Sequence, residues 1–346
     1  MRNWGKVNTA AKGHSHADLP AEYRHGISPP MPRPTTSPYT VEKLQGHAAM
    51  MVFAALVAGS NSLGKLIAHD IDPAALTAVR FILAAVLMGA GMAAIGHLKL
   101  HHFHAPWRYV PLGAAYAGFF VLMFHALQRT NPVSTSAIFT MMPFFAALMA
   151  WGFLGKNSSG LVWGALVLGA FGALWVVFGG SAQAVAGWHL GTGEMLFMLG
   201  TASHAAYAVM VPHLRRGEPV AAVTLGVALS GALILLVLYG PRIWATDWVG
   251  LPLRVWAVLI YLAVFAGIGT FSLITLAAER LSPAKVTAYT YLTPVWVVGI
   301  EMAMGHTIPQ PMVLLGGLPI VAALLLLFFE NPASGATAPL PKTNQR

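Results

Sequence analysis

Asn61, flanked by Ser60 and Ser62, and His204, followed by Tyr207, interrupt stretches of sequence that are otherwise strongly apolar. A polar group in such surroundings must find a partner or face water, because burial without a hydrogen bond costs roughly 2–7 kcal/mol. Asn61 and Ser62 can both donate and accept toward a small solute. His204 can in addition titrate near neutrality and pass on a proton. The plainer reading of His204 is a neutral ring bonded across helices.

Two further apolar stretches carry hydroxyls and rings: Ser134, Thr135, Ser136, Phe139 and Thr140 in one, and Thr287, Tyr289, Thr290, Tyr291, Thr293 and Trp296 in the other. Aromatic walls with a few hydroxyls suit a small organic molecule with an apolar part. Phe139, Thr140, Tyr289, Thr290 and Trp296 therefore join Asn61, Ser62, His204 and Tyr207 as expected substrate-binding residues. Each stretch also holds a proline, Pro143 or Pro294. A proline inside a helix frees the carbonyl four residues back, here that of Phe139 or Thr290, and lipid cannot satisfy it. Both prolines are expected to act as hinges beside a cavity; the alternative reading of each is a packing bend alone.

Charges within apolar spans are functional suspects by default. Lys65, Arg80, Lys285 and Glu301 are such residues, and each is expected at a mouth of a pathway, or else snorkelled or paired at the interface. No carboxylate falls near the middle of any apolar span, so proton coupling through a buried Asp or Glu is disfavoured. His204 is left as the central proton candidate, with facilitated movement down a gradient equally open. His101, His102 and His104 share one short loop without Cys, Asp or Glu and make a poor ligand set. Neither a metal nor a cofactor is expected.

What positions these groups is a set of membrane helices. The chain is 57 % hydrophobic and 9 % charged, too few charges to cover a water-soluble surface. Its mean hydropathy is +0.66. The net charge of +9 is spread over loops and tails rather than one face, which argues against nucleic acid. A bilayer asks for about 20 apolar residues per helix. Ten such spans are read at 47–69, 74–97, 108–128, 132–154, 160–179, 191–212, 219–240, 253–277, 283–304 and 311–330. Residues 1–46 are polar and proline-rich and are expected to be a disordered cytoplasmic tail, as are residues 331–346. Gly160, Gly164, Ala165, Gly169 and Ala173 form a small-residue stripe expected to pack closely within the fold.

With the N-terminus inside, fourteen Lys and Arg fall on the inner side, against Arg129, Arg242 and Arg254 outside. Both termini are then cytoplasmic by the positive-inside rule. Arg129, Pro132, Ala137 and Pro143 recur 151 residues later as Arg280, Pro283, Ala288 and Pro294. Five spans separate the copies, an odd number, so span four starts outside and span nine inside. The expectation is an all-α polytopic membrane protein of ten helices in two inverted five-helix repeats, 47–179 and 191–330. Inverted halves with interrupted helices place a solute site near the bilayer midplane and alternate access around it.

The order of these features resembles the EamA-type ten-helix transporters of the drug/metabolite transporter superfamily. The supporting residues are Lys65, Pro73, Arg80, Pro132, Pro143 and Leu154-Gly155, then Pro219, Pro283, Pro294 and Met304-Gly305. Two features depart from the family pattern. Lys156 and His306 follow the helix ends where the family often has Glu, and Lys285 stands where a small or apolar residue is usual. The resemblance implies metabolite export, for example of amino acids, through a cavity formed by both halves.

The function expected is therefore a secondary transporter or facilitator in a bacterial-type inner membrane, exporting amino acids or similar small amphipathic metabolites. Basic residues near the pathway ends favour zwitterions or anions over cations. Efflux of hydrophobic drugs is the alternative within transport. A membrane-embedded enzyme is the alternative from another class, but the chain has no cysteine, no His-Glu-x-x-His and no serine-nucleophile element. The partners expected are a small-molecule solute and the lipid bilayer, with a monomer as the simplest assembly.

Overall fold

The computed structural model describes residues 38–155, 158–187, 190–278, 280, 281, 286, 289–307 and 309–329. Its helices run α1 (Pro38–Ile67), α2 (Pro73–Ala94), α3 (Tyr109–Leu127), α4 (Pro132–Phe139) and α5 (Met142–Leu154). They continue as α6 (Gly160–Val177), α7 (Ala182–Gly187), α8 (Thr192–Leu214), α9 (Val220–Trp244) and α10 (Leu253–Ile260). A π-helical stretch, Tyr261–Gly269, joins α10 to α11 (Thr270–Ala278). After a 3-10 turn, Tyr289–Leu292, come α12 (Thr293–Ala303), α13 (Pro311–Leu314) and α14 (Gly317–Phe329).

Among the described residues there is no strand, and eight helices are long and apolar enough to cross a membrane. Pro311–Leu327 adds a shorter apolar helix. The expected ninth span, 283–304, is described only from residue 286 onward and with gaps. The protein is thus an all-helical polytopic membrane protein. Leu233, Val237, Leu238, Trp151 and Phe153 face outward, a surface suited to lipid rather than water.

Local chemistry explains where these helices begin. Proline suits the first turn because its missing N–H has no intrahelical partner to lose. Ahead of Pro73, Asp72 accepts from the Ala74 and Ala75 N–H groups at 2.9 and 3.1 Å. Ahead of Pro132, Asn131 accepts from Ser134 N–H at 2.9 Å. Ser159 does the same for Val162 N–H at 3.3 Å. Each cap satisfies donors that the first helical turn leaves orphaned.

A helix break precedes Pro143, and a 3-10 turn precedes Pro294. After α4, Thr140 and Met141 donate to carbonyls only three residues back, those of Ala137 and Ile138, and α5 restarts with Pro143 in its first turn. Pro294 lies likewise in the first turn of α12, after the 3-10 turn. The far ends match as well. Gly155 and Gly305 take φ of 62° and 86°, the left-handed conformation that glycine alone adopts without strain.

Helix α3 packs on α8 and α9, α2 on α9, α6 on α14, and α4 on α12. The small-residue stripe of α6 serves these contacts only in part. Ala165 and Ala173 are fully buried, and a Cβ at Gly169 would press on Tyr291, as one at Gly172, outside the stripe, would on the Gly316 carbonyl. Gly160 and Gly164 instead have open space beside them, so they are not contact residues in this fold.

Candidate functional site

The membrane interior brings α2, α3, α4 and α8 together around one group of rings. Arg80 comes from α2, seven residues after its capped start, and is 3 % exposed. Its guanidinium carbon lies 3.6 Å from the centroid of the Phe120 ring on α3. Phe120 meets Tyr116 edge-on at 5.0 Å, and Tyr116 stacks on Tyr207 of α8 at 4.6 Å. One turn earlier on α8, His204 sits 4.5 Å from Phe119, 5.5 Å from Tyr116 and 5.6 Å from Phe139 of α4. Tyr116, His204 and Tyr207 stay half-buried, whereas Phe119, Phe120 and Phe139 are buried.

Two polar atoms in this group have no hydrogen-bond partner: Arg80 Nη1 and His204 Nδ1. No ion pair among the described residues involves Arg80. The described carboxylates are engaged elsewhere. Asp70 pairs with Arg254 at 2.8 Å, Glu218 with Arg108 at 2.5 Å, and Glu301 with His306 at 2.7 Å. Glu194 accepts from Thr130, Asp72 caps α2, and Asp247 accepts from Gly250 N–H at 3.0 Å. Glu42 remains, exposed in α1.

Magnitudes decide how to read Arg80. A desolvated cation–π contact contributes roughly 2 kcal/mol. Desolvating an ion costs several kcal/mol even after relaxation. Stacking on Phe120 therefore does not offset burial alone, and the free guanidinium N–H groups call for water or an anion.

The other expected residues separate into groups. Asn61 is already engaged: Nδ2 donates to the Val57 carbonyl at 3.2 Å, and Oδ1 accepts from Thr135 Oγ1 at 3.0 Å, tying α1 to α4. Ser62 Oγ beside it is buried without a partner. Thr140 turns inward on its own helix, donating to the Ala137 carbonyl at 2.6 Å. Tyr289 shares a 2.7 Å hydrogen bond with His47 of α1, and Thr290 is buried next to it. Trp296 is 37 % exposed on α12 and has no ring contact with the group around His204 among the described residues.

The expected pathway charges also differ from one another. Lys65 donates to the carbonyls of Leu127 and Thr130 at 2.7 and 2.9 Å. It therefore caps the end of α3, whose orphan carbonyls and negative dipole end attract a cation, and takes neither Asp70 nor Asp72 as partner. Glu301 meets His306 near the end of α12, although its Oε1 is buried and unpartnered. Lys285 lies outside the described residues. His101 and His102 rings sit 4.3 Å apart, but no metal-binding group of three is assembled among the described residues.

Tyr116, Phe119, Phe120 and Tyr261 were not legible as site residues in the sequence, where rings in apolar spans read equally well as lipid-facing. Tyr261 opens the π-helical stretch and donates to the Leu56 carbonyl of α1 at 2.8 Å. Gly59 makes that approach possible, since any Cβ there would overlap the Tyr261 hydroxyl. Such π-helical segments are frequent at functional sites.

Ion pairs and loop contacts close the ends of the bundle. Arg108 also donates to the Leu214 carbonyl at 2.6 Å, and Arg216 N–H donates to Glu218 at 2.6 Å. Burial raises the Glu218 carboxyl, but hydrogen bonds from Arg108 and from backbone N–H groups, with the Arg108 charge, outweigh it and hold the group at about 2. The two-pronged hydrogen bond from Arg254 holds Asp70 below the usual carboxylate range.

The EamA-like transporter family model matches residues 44–178 and again 191–329. A curated relative, the uncharacterized transporter YyaM of Bacillus subtilis (strain 168), is 23 % identical over 314 residues, covering 88 % of this chain and 98 % of that protein. A crystal structure described only as that of a protein superposes with a TM-score of 0.57 at 18 % identity, covering 83 % of this chain and 97 % of the other. That likeness concerns the fold.

Proposed function

Because the chain belongs to the EamA-like transporter family, a family matched over both halves of its length, we propose that it is a secondary transporter or facilitator that exports amino acids or similar small amphipathic metabolites by alternating access. The observation that carries this reading is the buried, unpartnered Arg80 with His204 among the rings of α3, α4 and α8. Buried polar groups are as a rule hydrogen-bonded, so an unpartnered guanidinium and imidazole in one group of rings support a polar ligand there.

In this reading the chain lies in a bacterial inner membrane with both termini cytoplasmic, in ten crossings arranged as two inverted repeats, 47–179 and 191–330. Contacts between distant loops support the threading. Asp70 with Arg254, Thr130 with Glu194, and Trp175 with Met312 each join segments that this order places outside. Arg108 with Glu218 and His47 with Tyr289 join segments placed inside. The packing of α2 on α9, α4 on α12 and α6 on α14 supports a pseudo-two-fold, since each pair unites corresponding spans of the two halves.

Flux into proteoliposomes, with and without a proton gradient, is the test, using a panel of amino acids, organic acids, sugars and hydrophobic drugs. Transport of one class above protein-free vesicles is expected. Flux of nothing in the panel would end the transport reading.

A further inference from the structure

We propose that Arg80 anchors a carboxylate of the transported solute, and that the site favours organic acids of net negative charge, with an aromatic or apolar body, over zwitterions. The proposal rests on the transport reading above and, among its small amphipathic metabolites, puts organic acids first and zwitterionic amino acids second.

Three observations carry it. Arg80 is 3 % exposed, its Nη1 has no partner, and it pairs with no carboxylate among the described residues. A guanidinium offers a rigid, planar fork of donors that matches a carboxylate in a bidentate way. The Phe120 ring lies 3.6 Å from the guanidinium carbon and cannot satisfy the N–H groups of Nη1, which stay without a partner.

Tyr116 stacked on Tyr207, with His204 edge-on to both Tyr116 and Tyr207, lines a half-buried wall beside Arg80. Flat rings of this kind suit the apolar body of a small acid. The third observation concerns the opposite charge. Of the described carboxylates, six are engaged at helix ends or loops and Glu42 is exposed. An ammonium group brought beside Arg80 would therefore meet a like charge and no counter-ion. A zwitterion loses there what an acid keeps.

The protein supplied in full length, labelled with 15N-arginine and held in lipid nanodiscs, gives a direct test. The Arg80 side-chain resonances, identified by their loss in Arg80→Lys, are followed during titration with 3-phenylpropionate, phenylalanine, 3-phenylpropionamide and phenethylamine. The acid is expected to shift them at the lowest concentration, with phenylalanine roughly tenfold weaker and the amide and amine without effect. In Arg80→Gln, binding of the acid followed by Tm should weaken by at least about tenfold, while Arg80→Lys keeps the charge and loses only part of it.

An amide or amine as effective as the acid overturns the proposal, as does an acid without effect up to roughly 10 mM, too weak for a bidentate charged contact. Should Arg80→Gln fail to fold, the ranking of the four compounds on the unaltered protein still decides. The two readings fail separately. Resonance shifts by the acid with no flux of any solute in the wider panel would retain the anchor and remove the transport role. Flux of phenethylamine with no effect of the acid would do the reverse.

Discussion

Arg108 and Glu218 form a 2.5 Å ion pair with side chains only 4 % and 9 % exposed, joining the start of α3 to the loop between α8 and α9. The pair is sheltered and multiply hydrogen-bonded, unlike an exposed surface pair that contributes at most about 1 kcal/mol. Arg108→Ala should leave Glu218 buried without its counter-charge and cost about 3–5 kcal/mol, read as a lower Tm in detergent. An unchanged Tm would show that the contact is incidental. The pH dependence follows from the sign of the shift. A carboxyl held at about 2 instead of the usual 4.5 stabilises the fold above 4.5, and that contribution drains away as pH falls toward 2. Glu218→Gln should flatten Tm against pH in that window.

Lys65 is expected to matter for folding more than for selectivity. Lys65→Met removes two charge-assisted hydrogen bonds to the end of α3, a loss of about 1.5–3 kcal/mol in stability. Solute preference in proteoliposomes should stay unchanged. A variant of full stability with altered preference would return Lys65 to the pathway.

The paired interruptions at Pro143 and Pro294 predict a kinetic effect. Both prolines sit in the first turn of a restarted helix, where alanine is tolerated. The double change Pro143→Ala with Pro294→Ala should let the helices run on and slow cycling several-fold at nearly unchanged Tm. Wild-type flux in that double variant would refute the hinge role.

His204 lies among four rings with Nδ1 unpartnered, which suits either a proton carrier or a contact to solute. If it carries the proton, His204→Ala should abolish gradient-driven accumulation and leave counterflow intact. Accumulation that persists in the variant would exclude that role.

Gly59→Ala should push Tyr261 from its hydrogen bond to the Leu56 carbonyl, because a methyl there would occupy the hydroxyl's place. The overpacking should cost about 1–3 kcal/mol. Restoring stability with Tyr261→Phe in the same chain would locate the clash at that hydroxyl; no loss in Gly59→Ala would dismiss it.

Much of this protein is local enough to be legible in its sequence. Long apolar runs give membrane spans because a bilayer leaves a helix's backbone groups no other partners. Asp72, Asn131 and Ser159 mark helix starts, and Gly155 and Gly305 mark helix stops, through bonds and torsions within a few residues. The place of Pro143 and Pro294 in the first turn of a helix is equally local.

The partners of the polar residues are another matter, because they come from remote parts of the chain. Asn61 looked free for a solute, yet Thr135 occupies it from 74 residues away. Lys65 looked like a pathway charge, yet the end of α3 takes it up. Arg80, by contrast, looked able to snorkel or pair at the interface and proves buried over Phe120 with no counter-charge among the described residues. Sequence alone determined that this chain crosses a membrane repeatedly and where its helices break, since hydropathy and backbone chemistry act over short distances. Only the tertiary structure decided which charge stays unsatisfied, because that depends on which side chains the packing of α2, α3, α4 and α8 brings within hydrogen-bonding reach.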